Sequence, residues 1–258
     1  MQSPARHDGG PKVKRTHILL AALLLGAFWE LSARLLGQPI LPTPSEIFQV
    51  FLKELTGDLG SHFLASLWRV IASILLSIAI AAPLGLLLGQ SKRINQWISP
   101  VIYILYPIPK VVFVPVILLF LGVGNLSKIV IITLILVFQI IVLVRDRAAA
   151  LQFELLQSVR SLGAGRRALF RFVYLPASLP AILTALRQSI GTAVAVLYIT
   201  ELVATRLGLG YYIYVQGSTL FDYPKMYAGV IAMSILGLGL YFTVDLLEQR
   251  LVPWQSVR

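Results

Sequence analysis

The sequence predicts an all-α, polytopic membrane protein with six transmembrane helices, and three observations carry that prediction. Of its 258 residues, 57% are hydrophobic and only 13% charged, and the mean hydropathy is +0.83, more apolar surface than a soluble domain of this length hides. The apolar residues fall into runs of about 20 residues or more, the length needed to cross a bilayer as helix. These runs are near-continuous, without the in-out alternation of a membrane β-barrel. The predicted spans are 17–37, 63–89, 98–121, 126–144, 178–203 and 227–247.

The opening MQSPARHDGGPKVKRTH is polar and basic and leads into ILLAALLLGAFW. It has the outline of a secretory signal, but Trp29 and Glu30 stand where a small-x-small cleavage site belongs, so residues 1–16 read as a tail before an uncleaved first span. Glu30 and Arg34 are spaced for a helical ion pair. In LPTPSEIFQVFLKELTGDLG, Ser45 and Glu46 start a short interfacial helix with Ile47, Val50, Phe51 and Leu55 on one face. Gly85 and Gly89 in the second span are one turn apart and allow close backbone approach, while Arg69 is near enough to the outer end to snorkel. Pro100, Pro107, Pro109 and Pro115 break the third span, as packing around a bend or as the lining of a path. The segment 204–225 reads as an external loop whose Tyr211, Tyr212, Tyr214 and Tyr223 suit a membrane interface.

Charge sets the orientation. The net charge is +11, which in a soluble protein suggests nucleic acid. Here Arg6, Lys12, Lys14, Arg15, Lys92, Arg93, Arg145, Arg147, Arg160, Arg166, Arg167, Arg171, Arg250 and Arg258 all fall on one side of the predicted spans, against Lys53, Arg206 and Lys225 on the other. The positive-inside rule makes the first side cytoplasmic, with both termini and the 251–258 tail, and membrane lipid rather than nucleic acid is the expected partner. Cysteine is absent. Gly163-Ala164-Gly165 lacks the Lys and Ser/Thr of a phosphate-binding loop, and His7, His17 and His62 have no metal-ligand spacing. The chain is therefore expected not to hydrolyse nucleotide and to hold no metal and no cofactor of its own; an intramembrane enzyme stays open, with no constellation to name, until the family resemblance below implies a transporter subunit.

Ionisable and amide side chains within spans are candidates for a substrate path, because each charge costs about 2.5–3.5 kcal/mol at mid-bilayer. Lys110 follows the proline break, Gln139 lies inside the fourth span, and Arg187, Gln188 and Glu201 lie in the fifth. For Arg187 a buried structural contact is the alternative.

Between the fourth and fifth spans runs ELLQSVRSLGAGRRALFRFVYLP. Leu155, Val159 and Leu162 recur at helical spacing with Leu156 beside them, Gln157, Ser158, Arg160 and Ser161 take the opposite side, and Gly163 supplies a turn. A glycine followed thirteen residues later by Pro176, in Val173-Tyr174-Leu175-Pro176, resembles the EAA signature of ABC-importer permeases, with Gln157-Ser158-Val159 departing from Glu-Ala-Ala at all three positions. LPTPSEIF, YPIPKVVFVPVILLFLGVGNLSK, the Gly208–Gly210 stretch and the closing PW resemble the nitrate/sulfonate/taurine/bicarbonate branch.

That resemblance implies a permease domain over 17–250 in a bacterial inner membrane. It implies a cytoplasmic coupling helix between spans four and five, carried by Glu154, Leu155, Gln157, Ser158, Val159, Arg160, Leu162, Gly163 and Ala164. Its partners would be a second permease copy, as a homodimer, two cytoplasmic ABC ATPases holding ATP and Mg, and a periplasmic substrate-binding protein. The cargo would be a small polar or anionic solute. An autonomous channel or ion-coupled secondary carrier, using Arg187 and Glu201, is the competing expectation.

Overall fold

The computed structural model describes residues 15–151, 153–203 and 205–253, so most of both predicted tails and Ala204 lie outside the described residues. Within them every regular element is helical. In chain order they are α1 (Arg15–Leu36), α2 (Pro44–Leu55), α3 (Asp58–Gln90), α4 (Lys92–Leu105), a 3-10 turn (Lys110–Phe113) and α5 (Val114–Leu121). They continue with α6 (Asn125–Ala149), α7 (Phe153–Ser161), α8 (Arg166–Leu169), a π turn (Phe170–Tyr174), α9 (Leu175–Leu202), α10 (Leu209–Tyr214), a second π turn (Val215–Thr219) and α11 (Tyr223–Leu251). Among the described residues, four helices are long and apolar enough to cross a membrane, and five crossings result if α4 and the helical run Lys110–Leu121 count as one.

The core is a parallel pair, α3 against α6. Ser73, Ser77, Ala81, Gly85 and Gly89 repeat every fourth residue of α3 and so form one ridge of small side chains. Ser77 Oγ lies 3.4 Å from Thr133 O at one end of the contact. Toward the other end, a Cβ on Gly89 would stand 2.5 Å from Ala148 Cβ and 2.7 Å from Arg145 O. Both contacts advance in the same direction along the chain, so the two helices run parallel. Small residues permit this closeness, because in lipid the attraction is packing rather than water exclusion.

A parallel pair needs a return path along the bundle, and residues 91–124 make it. Four prolines fall here, and the path bends by 79° between α4 and the Lys110–Leu121 run. Lys110 Nζ closes the break, donating to Leu105 O at 3.0 Å, Tyr106 O at 2.7 Å and Ile108 O at 3.2 Å. Carbonyls released by Pro109 and its neighbours thus find a donor inside the protein, the condition for a broken helix at membrane depth.

α9 runs antiparallel to this pair, placing Glu201 beside Ser66 at the start of α3. α11 is antiparallel to α9, with Val194 facing Gly237 and Arg187 facing Glu248. α1 ends at the Glu201 end of the bundle, where Glu30 accepts from Ser45 at the head of α2 and Arg34 pairs with Glu30 as its spacing predicts. The short helix after the first span forms as α2. Thr43 is its cap, and Ile47 is fully buried.

Two expectations are corrected. Arg69 does not snorkel: its side chain is 4% exposed and ion-paired inside the bundle, because Glu201 on a neighbouring helix gives it a partner that solvent would otherwise supply. The 204–225 segment is largely helical rather than a loop, and of its four tyrosines Tyr212 is buried, 2% exposed against Gly229.

Candidate functional site

The basic insert folds as predicted in outline. α7 covers Phe153–Ser161, and Gly163 at φ +83° reverses the chain in the left-handed region that glycine enters without a Cβ clash. Glu154 and Leu155 lie on this helix, but their side chains fall outside the described residues. Gln157, Ser158 and Arg160 are exposed. Val159 and Ala164, with Leu151, pack on a small separate core of Leu169, Val173 and Tyr174. Leu162, the third member of the predicted apolar stripe, is 85% exposed.

That small core is built on the helix leading into the bundle. From Arg167 to Leu202 the chain is helical over 36 residues, about 54 Å at 1.5 Å per residue, well beyond the ~30 Å of hydrocarbon. Pro176 removes one donor from its lower part, and the helix answers just before it with a π turn in which Leu175 N–H reaches Phe170 O. The insert is thus seated on an extended rod that continues into the membrane.

At the far end, Glu201 is fully buried. Its carboxylate accepts from Arg69 Nη1 at 2.5 Å, Ser66 Oγ at 2.8 and 2.9 Å and Gly210 N at 2.9 Å. Arg69 also donates to Asn125 Oδ1 at 2.8 Å and Leu207 O at 2.7 Å, so one buried ion pair ties together α3, α6, α9 and the turn into α10. Gly208, at φ +136°, leaves room for this: a Cβ there would meet the Glu201 carboxyl and Arg69.

Arg187 meets Asp245 at 3.2 Å and pairs with Glu248, both on α11, with its guanidinium near the Tyr241 ring. Gln188 is exposed beside it, and Gln139 is half-buried on α6. The five path candidates therefore do not meet at one point. Lys110 lies between α4 and α6, Gln139 on α6, Arg187 and Gln188 on α9 toward α11, and Glu201 in the end cluster.

Several cavities border α6. A cavity of about 630 Å³ lies between α4 and the late part of α6, bordered by Asn95, Ser99, Tyr103 and Arg145. An apolar one of about 330 Å³ surrounds Lys110 and Phe138 at the break. A third, of about 550 Å³, opens at the start of α6 beside Lys128. Sequence reasoning passed over Lys128, although it stands near the start of the fourth span and the cost rule that singled out Arg187 applies to it equally. Asp245 and Glu248 were legible as charges, but nothing in the sequence paired them with Arg187.

Residues 74–254 match the family described as binding-protein-dependent transport system inner membrane component. The chain belongs to that family. It is a permease subunit of a transporter rather than an enzyme, and ATP hydrolysis lies on a separate chain. The taurine transport system permease protein TauC of Escherichia coli (strain K12) is 28% identical over 242 residues, covering 91% of this chain and 88% of TauC. The putative aliphatic sulfonates transport permease protein SsuC of Bacillus subtilis (strain 168) is 30% identical over 243 residues, covering 93% and 87%. A chain of the inward-facing MetNI methionine ABC transporter has the same fold, with a TM-score of 0.68 at 21% identity over 77% of this chain and 98% of that one.

Proposed function

We propose that this permease subunit pairs with a second copy of itself and spans the membrane six times, with α1 as the first crossing. In this arrangement both termini and α7 face the cytoplasm, and the subunit passes a small polar or anionic solute, of the taurine or sulfonate kind, from a periplasmic binding protein. Two cytoplasmic ATPases, which bind ATP and Mg, seat α7 in a groove, with Gln157, Ser158, Val159, Arg160, Leu162 and Ala164 contributing the contact and Gly163 its shape. Glu154 and Leu155 complete that surface from the first turn of α7.

The observation that carries this reading is the mechanical continuity from an exposed Leu162, through the Val159–Val173 core, into the 36-residue helix. A push on α7 becomes a displacement of α9, because Val159 and Ala164 pack directly on Leu169, Val173 and Tyr174 at its foot. The three spaces along α6 mark the solute's route, with Lys110 and Gln139 midway. Arg187 and Gln188 border it toward the cytoplasm, and Glu201 holds the outer end shut.

Leu162→Asp tests the proposal in the assembled transporter. Leu162 is solvated here, so the substitution leaves the subunit's own stability near wild type. It removes an apolar contact worth about 1.5–3 kcal/mol if the side chain is buried by an ATPase, and places a charge in its seat. Binding-protein-stimulated ATP hydrolysis is expected to fall by about ten-fold or more. Unaltered stimulation would refute α7 as the point of force transfer.

A further inference from the structure

The cavity at the start of α6 has a charge pattern that neither the transport assignment nor the coupling insert explains. Its wall carries Arg69, Lys128 and Arg206, with Asn125 and Thr205 as polar neighbours, and no carboxylate lines it. Glu201 pairs with Arg69 and its charge also acts on Lys128, so one buried carboxylate is set against the three cations of this wall. Lys128 is 1% exposed, its Nζ donates to Gly124 O at 3.1 Å, and among the described residues no carboxylate lies within ion-pair distance of it.

The backbone adds to the same field. Gly124 precedes the 25-residue α6 without any side chain to cap it, so the positive end of a long helix faces the same region. Asn125 accepts from Arg69 through its carbonyl oxygen, which leaves its NH2 as the group free to donate to a ligand. A buried ammonium, an uncapped helix start, an amide donor and the exposed Arg206 at the rim thus converge on a space of about 550 Å³. In a low-dielectric wall such a set is costly unless an anion completes it.

We infer that this cavity is a binding site for a small oxyanion, a sulfonate or carboxylate headgroup, held by Lys128 and Arg206 at the mouth of the solute route. Lys128 and Arg69 are recessed below the surface, which favours a compact anion. Arg206 supplies capture from solvent and Lys128 the buried contact. The inference rests on reading this chain as a solute path, and it narrows that path's cargo to molecules with an anionic oxygen group.

The test is equilibrium binding of radiolabelled methanesulfonate to the full chain in phosphatidylcholine nanodiscs, without ATPase or binding protein. Saturable binding with a dissociation constant on the order of 0.1–1 mM is expected, weakening as ionic strength rises. Uncharged dimethyl sulfone should not compete. Lys128→Met should weaken binding by about ten-fold or more, and Arg206→Gln, an exposed position that leaves folding intact, by about three- to ten-fold. Discs containing phosphatidylglycerol should give the same values.

Unchanged affinity in Arg206→Gln and Lys128→Met, competition by dimethyl sulfone, or loss of binding in phosphatidylglycerol discs would each overturn the site, the last by showing that a lipid headgroup fills it. Arg206→Gln that weakens association of a binding protein while leaving methanesulfonate binding intact would also overturn it, in favour of a protein carboxylate. Because no nucleotide or partner enters this measurement, its failure leaves the subunit's coupling role standing. Failure of the Leu162→Asp experiment, conversely, is silent on the cavity.

Discussion

Glu201→Gln isolates the contribution of the buried ion pair at the outer end of the bundle. The substitution keeps the shape of the side chain but removes its charge, leaving the Arg69 guanidinium, 4% exposed, without a counter-ion. It also replaces an acceptor of bonds from Ser66, Arg69 and Gly210 with an amide that must turn a donor toward some of them. Breaking one partner of such a buried pair costs about 3–5 kcal/mol, and with neither side chain reaching solvent no screening reduces it. At about 2–4 °C per kcal/mol for a chain of this size, the melting temperature in detergent falls by roughly 6–20 °C. Replacing both residues, as Arg69→Met with Glu201→Leu, removes the unpaired charge and should destabilise less than Glu201→Gln alone. Unfolding in mixed micelles, followed by circular dichroism across this double-mutant cycle, measures the coupling. A loss under about 1 kcal/mol for Glu201→Gln, or strict additivity across the cycle, would refute the reasoning.

Three further outcomes follow from the same packing. Gly89→Ala places a methyl against Ala148 and the Arg145 carbonyl, and should cost about 1–3 kcal/mol in thermal unfolding, whereas Gly26→Ala, with nothing within 4 Å, should be neutral or slightly stabilising. Lys110→Met deprives three carbonyls at the break of their shared donor and should lower stability by about 1–3 kcal/mol, with faster amide exchange confined to residues 105–115. Arg187→Met leaves Asp245 and Glu248 side by side on one face of α11 without their shared cation. Since this pair is partly solvated, the loss is about 1 kcal/mol and is partly recovered by adding Asp245→Asn, which thermal unfolding of single and double variants resolves.

Much of the molecule was legible one residue at a time. The lengths of the apolar runs announced spanning helices, the prolines announced the broken crossing, and Gly163 announced the turn after α7, because helix length, a missing N–H and a positive φ are local properties. The i,i+4 pair Glu30–Arg34 was legible for the same reason, both partners lying on one turn of one helix. The basic insert and its spacing to Pro176 carried the family resemblance as well.

What only the tertiary structure decided is which distant residues meet. Arg69 read as a snorkelling arginine because it lies near the outer end of its span, yet Glu201, far along the chain, makes burial the better state. Tyr212 read as interfacial until α10 turned it against Gly229. Arg187 and Lys128 look alike as isolated cations in apolar runs. Tertiary packing gives the first two carboxylates on α11 and leaves the second buried beside a cavity and, among the described residues, without an ion pair. Sequence by itself determined helices, breaks and membrane residence, since backbone hydrogen bonding and water-to-lipid transfer act within a segment. The pairing of charges, the parallel α3–α6 contact and the basic cavity depend on how segments cross, and no segment encodes that alone.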